Sequence, residues 1–545
     1  MSPRDFLVEI GTEELPPKAL AGLSESLEHG IVKGLNGEQL NFSASQRYAT
    51  PRRLAVLIRE LQAQQPDRDI DRLGPTISAA FDQQGKPTKA AQGFARSCGV
   101  AVNELDRSAK GGVEKLAFLS KEPGKPTQDL LPRLVQDAIA QLPIPKRMRW
   151  GASREEFVRP VHWAVMMFGE EIIPALLVGV EVDRFSYGHR FSANKKIIIN
   201  SAKDYEELLE EKGGVIPDFK KRKDLIRQLV EDEGSGAGGT AVIDEALLDE
   251  VTSLVEYPVA LTGQFDEDFL EVPPEALILT MKSHQKCFYL IDKKDKLLPK
   301  FITVSNLVSK DPSQVVEGYE RVIRARLADA RFFYESDKKQ SLESRAKRLS
   351  KVVFQEELGT VYDKSQRMAA LASTIAEWIS ADMTVCARAA SLSKCDLLTL
   401  MVGEFAELQG LMGYYYALHD GEPKELAQAL NEQYMPRFSG DDLPSSKTGI
   451  ALALADKLDS LVGIFGIGQP PTGSKDPFAL RRSAIGVLRI IVERELDLDL
   501  LDCIKQAVHG FKGIKLAEDT TGEVFEFLLE RFKAWSIDEG VTAEE

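Results

Sequence analysis

The sequence predicts a multidomain α+β protein, an N-terminal mixed α/β region with a helical insertion followed by a mostly α-helical region. Three observations predict it. Strand-like apolar stretches recur as far as Val304, helical apolar spacing takes over beyond Phe354, and 545 residues can bury roughly three to four cores. The expected segments are an α/β domain over 1–200, a helical insertion with a Gly-rich linker over 201–253, and a strand-rich continuation over 254–335. An α-helical domain over 336–500 and a C-terminal helical linker over 501–545 complete the plan.

The most distinctive string is the opening, Phe6-Leu7-Val8-Glu9-Ile10-Gly11-Thr12-Glu13-Glu14-Leu15-Pro16-Pro17. Its apolar alternation suits a strand with one face buried, and Gly11 would allow a sharp exit. Thr12 is the expected N-cap of a following helix, with Glu13 and Glu14 at the positive end of its dipole and Pro16 and Pro17 in its first turn. Three carboxylates at a strand end, Glu9, Glu13 and Glu14, also stand where acid–base catalysts are found. An amphipathic helix is expected from Ala21 to Leu35 and a second buried strand after Thr50-Pro51-Arg52-Arg53.

Basic clusters are the candidate binding residues. Arg52 and Arg53 could grip a phosphate or carboxylate in bidentate fashion, or lie exposed at a strand edge. Lys146, Arg147 and Arg149 next to Trp150 have the composition of a nucleic-acid contact, and equally of a solvated loop. Lys282, His284 and Lys286 flank a predicted strand and could hold phosphate, although no nucleophile or base stands at readable spacing. His189 reads as a hydrogen-bonded structural residue.

Several motifs fail on inspection. Gly85-Lys86-Pro87-Thr88 lacks the upstream glycine of a phosphate loop, and Pro87 lacks an amide. Gly234-Ser235-Gly236-Ala237-Gly238-Gly239 matches G-x-G-x-x-G formally but follows an acidic helix instead of a buried strand, so it reads as a flexible linker. Gly468 to Lys475 misses a Walker A loop because serine and lysine come in the wrong order.

A net charge of -15 argues against nonspecific coating of nucleic acid while leaving room for a local RNA-reading patch. The five scattered cysteines form no C-x-x-C pair, so neither a zinc knuckle nor a disulfide framework is expected. With no long apolar run and no signal-peptide layout, a cytoplasmic protein is expected.

Taken together, GTEELPP within Phe6–Pro17, TPRRLA at Thr50–Ala55, MRWG and FVRPVHW around Trp150 and His162, and DPFALRR at Asp476–Arg482 closely resemble the β subunit of the bacterial heterotetrameric glycyl-tRNA synthetase. The resemblance runs from Phe6 to near Trp535. It implies a B3/4-like α/β domain, an HD-like helical domain and a linker. The family's anticodon-binding domain would follow Trp535, so this chain is expected to lack it. The resemblance further implies assembly with α subunits as α2β2 and recognition of tRNA(Gly), with no membrane or DNA partner. Glycine attachment, with ATP and Mg, is expected in the α subunit, and this chain is expected to hold no catalytic residue, metal or cofactor of its own. Arg481 and Arg482 join the basic residues above as candidate tRNA contacts, with a salt-bridged interface role equally open.

A rival reading is an HD-type metal-dependent phosphohydrolase. Leu418-His419-Asp420-Gly421 and Ala455-Asp456 supply parts of such a ligand set, but the nearest upstream histidine is His284. By resemblance, Leu392-Ser393-Lys394 aligns better with the doublet, which puts lysine where a ligand should be. A third reading is a purely structural scaffold for the partner subunit.

Overall fold

The computed structural model describes residues 2–109 and 112–538, and residues 539–545 of the expected C-terminal linker lie outside the described residues. The chain forms two compact units. The first comprises Met1–Gln264 with Gln285–Glu320, and the second Phe265–His284 with Arg321–Glu545.

The first unit is built on a seven-stranded sheet whose middle strand is the opening one, Arg4–Thr12. It pairs antiparallel with Arg53–Leu61 on one side and Val161–Phe168 on the other. Both of its faces are buried. Phe6, Val8 and Ile10 pack under the helices Pro17–Gly37 and Thr127–Ala140. Leu7 packs on the opposite face with Tyr48, Trp163 and Tyr205. The alternation therefore reflects two apolar layers, which explains why a continuous run is needed there.

Gly11 does not end the strand. A Cβ at this position would lie 1.8 Å from the Trp163 ring, so glycine is present to admit the indole. Thr12 is likewise still in the strand, and the N-cap position is taken by Pro16. Glu13 and Glu14 lie before the first helical turn and reach His162 and Arg190 instead of the helix amides.

Charge is buried beside this apolar layer. Glu9 accepts hydrogen bonds from Trp163 Nε1 (2.5 Å), Tyr205 Oη (2.5 Å) and Ser186 Oγ (2.6 Å). The fully buried Arg53 lies 3.5 Å from Glu9 and 3.1 Å from Glu256, and it also donates to Ser186 and to the Tyr187 carbonyl. Burial alone would favour neutral arginine, but Glu256 and Glu9 outweigh it and raise the Arg53 guanidinium further. Arg222, also fully buried, is satisfied by the carbonyls of Ala49, Ile216 and Thr252.

The insertion region is packed into the first unit. Ile226 and Val230 of the helix Phe219–Gly236 share a core with Phe288, Leu290 and Ile302 of a four-stranded antiparallel sheet. Gly234 and Gly236 belong to the last turn of that helix, and a Cβ on Gly239 would press on Leu298 at 2.5 Å. Close approach accounts for Gly234 and Gly239, and a positive φ of 80° for Gly238.

The second unit is helical around Lys447–Gly466, a helix buried on nearly every side. Such a helix must lie at the centre of its bundle. It packs against Val361–Trp378, Lys424–Glu432, Leu480–Glu493, Leu500–His509 and Thr520–Asp538. Side-chain caps mark several starts, including the reciprocal Thr360–Asp363 box. The region 254–335, read as strand-rich, divides. Its strands Val259–Gln264, Phe288–Ile291 and Leu297–Ser305 belong to the first unit, whereas Pro274–Leu279 and the π-turn Thr280–His284 belong to the second. No described helix is long and apolar enough to cross a membrane.

Replacing Arg53 strands two buried carboxylates. Arg53→Met is expected to cost about 3–5 kcal/mol in chemical denaturation, whereas Arg147→Met on the exposed loop should stay within about 0.5 kcal/mol.

Candidate nucleic-acid interface

The basic candidates sort by what surrounds them. Arg53 is withdrawn as an RNA contact, because its guanidinium is sealed inside the Glu9–Glu256 network. Its neighbour Arg52 is half-buried over the Trp163 ring, 5.7 Å from the centroid, with Nε lacking a partner. Adjacent strand residues point to opposite faces, but Arg52 precedes the strand, so sequence alone could not separate their fates. Lys146 and Arg147 are exposed, and Arg149 is tied to Glu156 at 2.5 Å.

The residues of the third cluster divide between the two units. Lys286 belongs to the first unit and pairs with Glu250 at 2.9 Å. His284 and Lys282 belong to the second, where His284 stacks on Phe405 at 5.4 Å between ring centroids.

The DPFALRR segment builds the most suggestive surface. Asp476 accepts from the amides of Leu480 and Arg481, so the loop clamps the start of the helix Leu480–Glu493. Ala479 bears a positive φ of 53° at that junction. Along the helix, Arg482, Ile485, Gly486, Arg489 and Glu493 recur at three- and four-residue steps and line one groove of about 980 Å³. Across it stand Phe438, 61% exposed, and Arg531 and Trp535 of the helix Thr520–Asp538. Four arginines face two carboxylates, Glu493 and Asp538.

Arg481 donates to the Gly473 carbonyl (2.8 Å) and Arg482 to the Arg437 carbonyl (3.2 Å), so neither is consumed by a carboxylate. Arg489 is held by Glu493 at 2.6 Å. Guanidinium groups beside accessible aromatic rings are the combination that grips a phosphate backbone and stacks bases. Sequence reasoning did not bring Phe438, Arg489 and Arg531 together with Arg481 and Arg482. The i, i+3, i+4, i+7 spacing from Arg482 to Arg489 was the available signal, whereas the approach of Phe438 and Arg531 is tertiary.

Behind the groove lies the degenerate centre of the rival reading. Asp456 lies 3.1 Å from both Lys364 Nζ and Lys394 Nζ, and Asp459 is held by Arg367 (2.6 Å) and Lys364 (3.2 Å). Burial would raise the Asp456 carboxyl, but Lys394 and Lys364 overcome it and hold it well below the ordinary carboxylate range. Ammonium groups occupy the coordinating side of the carboxylate, where they repel a cation. His419 is exposed at the end of its helix, and Asp420 caps the Leu342 amide at 2.7 Å. Among the described residues no group of three or more His, Cys, Asp and Glu converges to hold a metal.

Against known proteins, the family described as glycyl-tRNA synthetase beta subunit matches residues 6–545. The chain belongs to the glycyl-tRNA synthetase beta subunit family. It is 54% identical over 541 residues to the glycine–tRNA ligase beta subunit of Ectopseudomonas mendocina, covering 99% of this chain and 78% of that relative. Relatives of the same name match at 54% identity in Chromohalobacter salexigens (100% of this chain, 79% of the relative) and 52% in Marinobacter nauticus (100% and 78%). Membership of the glycyl-tRNA synthetase beta subunit family makes the chain a component of an aminoacyl-tRNA synthetase, a ligase.

Within this member of the glycyl-tRNA synthetase beta subunit family, Asp456 serves as a counter-ion. Asp456→Ala is expected to lower stability by about 3–5 kcal/mol in thermal or chemical unfolding, because it leaves Lys364 and Lys394 facing each other without a carboxylate between them. A metal-ligand role predicts loss of hydrolysis with stability unchanged.

Proposed function

We propose that this chain assembles with a glycyl-tRNA synthetase α subunit, as α2β2, and binds tRNA(Gly) through the arginine–aromatic groove of its helical unit. Glycine attachment, with ATP and Mg, takes place in the α subunit, and the complex works in the cytoplasm. The observation that carries this reading is the match over residues 6–545 to a family named for the beta subunit of this synthetase. The groove adds a physical means, since Arg481 and Arg482 present donors not engaged by carboxylates, and Phe438 and Trp535 present rings.

The other candidate contacts rank below them. Lys146 and Arg147 remain accessible on the first unit and could add backbone contacts, whereas Arg149 and Lys286 are engaged by carboxylates. The hydrolase reading is disfavoured by the lysines on Asp456. A scaffold role differs from the proposal in one measurable respect, because a scaffold would leave tRNA affinity unchanged.

The test combines purified α subunit with this chain and follows glycine charging and tRNA(Gly) affinity across salt concentrations. Charging is expected to require both chains. Arg481→Gln with Arg482→Gln should weaken binding and reduce the salt slope by about one per arginine. Full charging by α alone, or an unchanged slope in the double variant, would refute the proposal.

A further inference from the structure

Next to the groove, a smaller pocket of about 300 Å³ opens between the central helix Lys447–Gly466 and the start of Leu480–Glu493. Its charge balance is unusual. Arg437, Lys457 and Arg482 line it, and the one carboxylate in its wall is Asp456. That carboxylate is already matched twice, by Lys364 and Lys394 at 3.1 Å each.

None of the three lining cations has a carboxylate within ion-pair distance among the described residues. Lys457 donates to the carbonyls of Met435 (2.8 Å) and Gln433 (3.2 Å). Arg437 donates to Asn431 Oδ1 at 2.6 Å, and Arg482 donates to the Arg437 carbonyl at 3.2 Å. Carbonyls satisfy hydrogen bonds without cancelling charge, and each of the three retains further N–H groups. Lys457 is buried, and Gly486 leaves room for its stem, since a Cβ there would lie 2.8 Å from Lys457 Cε. Burial pulls the Lys457 ammonium down to about 8; Asp456 opposes that, while Lys394, Arg437 and Lys364 reinforce it. The group is still cationic near neutrality.

Lys457 is the buried one of the three, with Arg437 half-buried and Arg482 exposed at the pocket mouth, and a buried charge without a carboxylate partner is costly unless a counter-ion arrives. We propose that this pocket is a binding site for a small polyanion of the diphosphate class, held by Lys457, Arg437 and Arg482. Three unmatched cations suit the roughly threefold negative charge of a diphosphate, and guanidinium forks match phosphate oxygens. The volume is at the lower end of small-ligand pockets, too small for a nucleic-acid duplex and adequate for a diphosphate.

Calorimetric titration of the whole chain with inorganic pyrophosphate, in metal-free buffer at fixed ionic strength, tests this. One site per chain is expected. Losing one charge-assisted contact should weaken it about tenfold or more in Arg482→Gln and in Arg437→Gln, and Lys457→Met should weaken it further. Arg147→Gln, remote and exposed, should bind as the wild type does. Competition by a 5′-phosphorylated tetranucleotide, but not by its 5′-hydroxyl form, would assign the phosphate to an RNA end; displacement by a nucleoside diphosphate alone would assign it to a free nucleotide. Absence of pyrophosphate binding to the wild type, or equal binding by Arg482→Gln and Arg437→Gln, overturns the inference. Because Arg437 and Lys457 do not belong to the proposed tRNA contacts, retained tRNA affinity with failed pyrophosphate binding would remove this inference alone.

Discussion

The burial of Arg53 between Glu9 and Glu256 joins distant segments of the first unit through one charge. A guanidinium in that position tolerates no vacancy, since removing any partner leaves a charge without water. The network draws together the opening strand (Glu9), the next strand of the sheet (Arg53), the Ser186 and Tyr187 segment, and Glu256 near the second sheet. Trp163 and Tyr205 close it by donating to Glu9, and the absent side chain of Gly11 makes space for the indole. The distinctive opening of the sequence is thus a fixed polar keystone within an apolar sheet, and its carboxylate is committed to holding the fold.

The helical unit uses the same physics for a different end. Lys364, Lys394 and Arg367 neutralise Asp456 and Asp459 on the central helix, so its polar centre is a set of internal ion pairs. The cations left over, Lys457, Arg437 and Arg482, lie toward the surface that also bears Arg481, Phe438 and Trp535. An acidic protein can in this way carry a locally basic, aromatic face, which is what selective RNA binding needs in place of general positive charge.

Much of this was legible in the sequence where local pattern and tertiary role coincide. The helical apolar spacing beyond Phe354 is realised in Lys447–Gly466 and Leu480–Glu493. The helix Met383–Leu392, in contrast, is followed by the 3-10 turn Cys395–Leu398 and a new start at the Thr399 cap. Thr12 resembled a helix cap because Thr followed by Glu-Glu-Leu-Pro-Pro carries local cap signals, yet its pairing with Val161 and its amide bond to the Arg52 carbonyl keep it in the sheet. The fate of Arg53 depends on Glu256, some two hundred residues away in the chain, and no local window contains that information. Likewise, the helical spacing of Arg482 and Arg489 could be read directly, whereas Phe438 and Arg531 join them only through packing.

The central claim is that RNA engages the helical unit's arginine–aromatic groove while the Arg53 network stays structural. Photo-cross-linking of 4-thiouridine-substituted tRNA(Gly) to the complex of this chain with α subunit, read by mass spectrometry, addresses it most directly. The account predicts cross-links at Phe438 and Trp535, and their loss in the Arg481→Gln, Arg482→Gln double variant. Cross-links confined to residues 2–264, with none between 436 and 538, would contradict it.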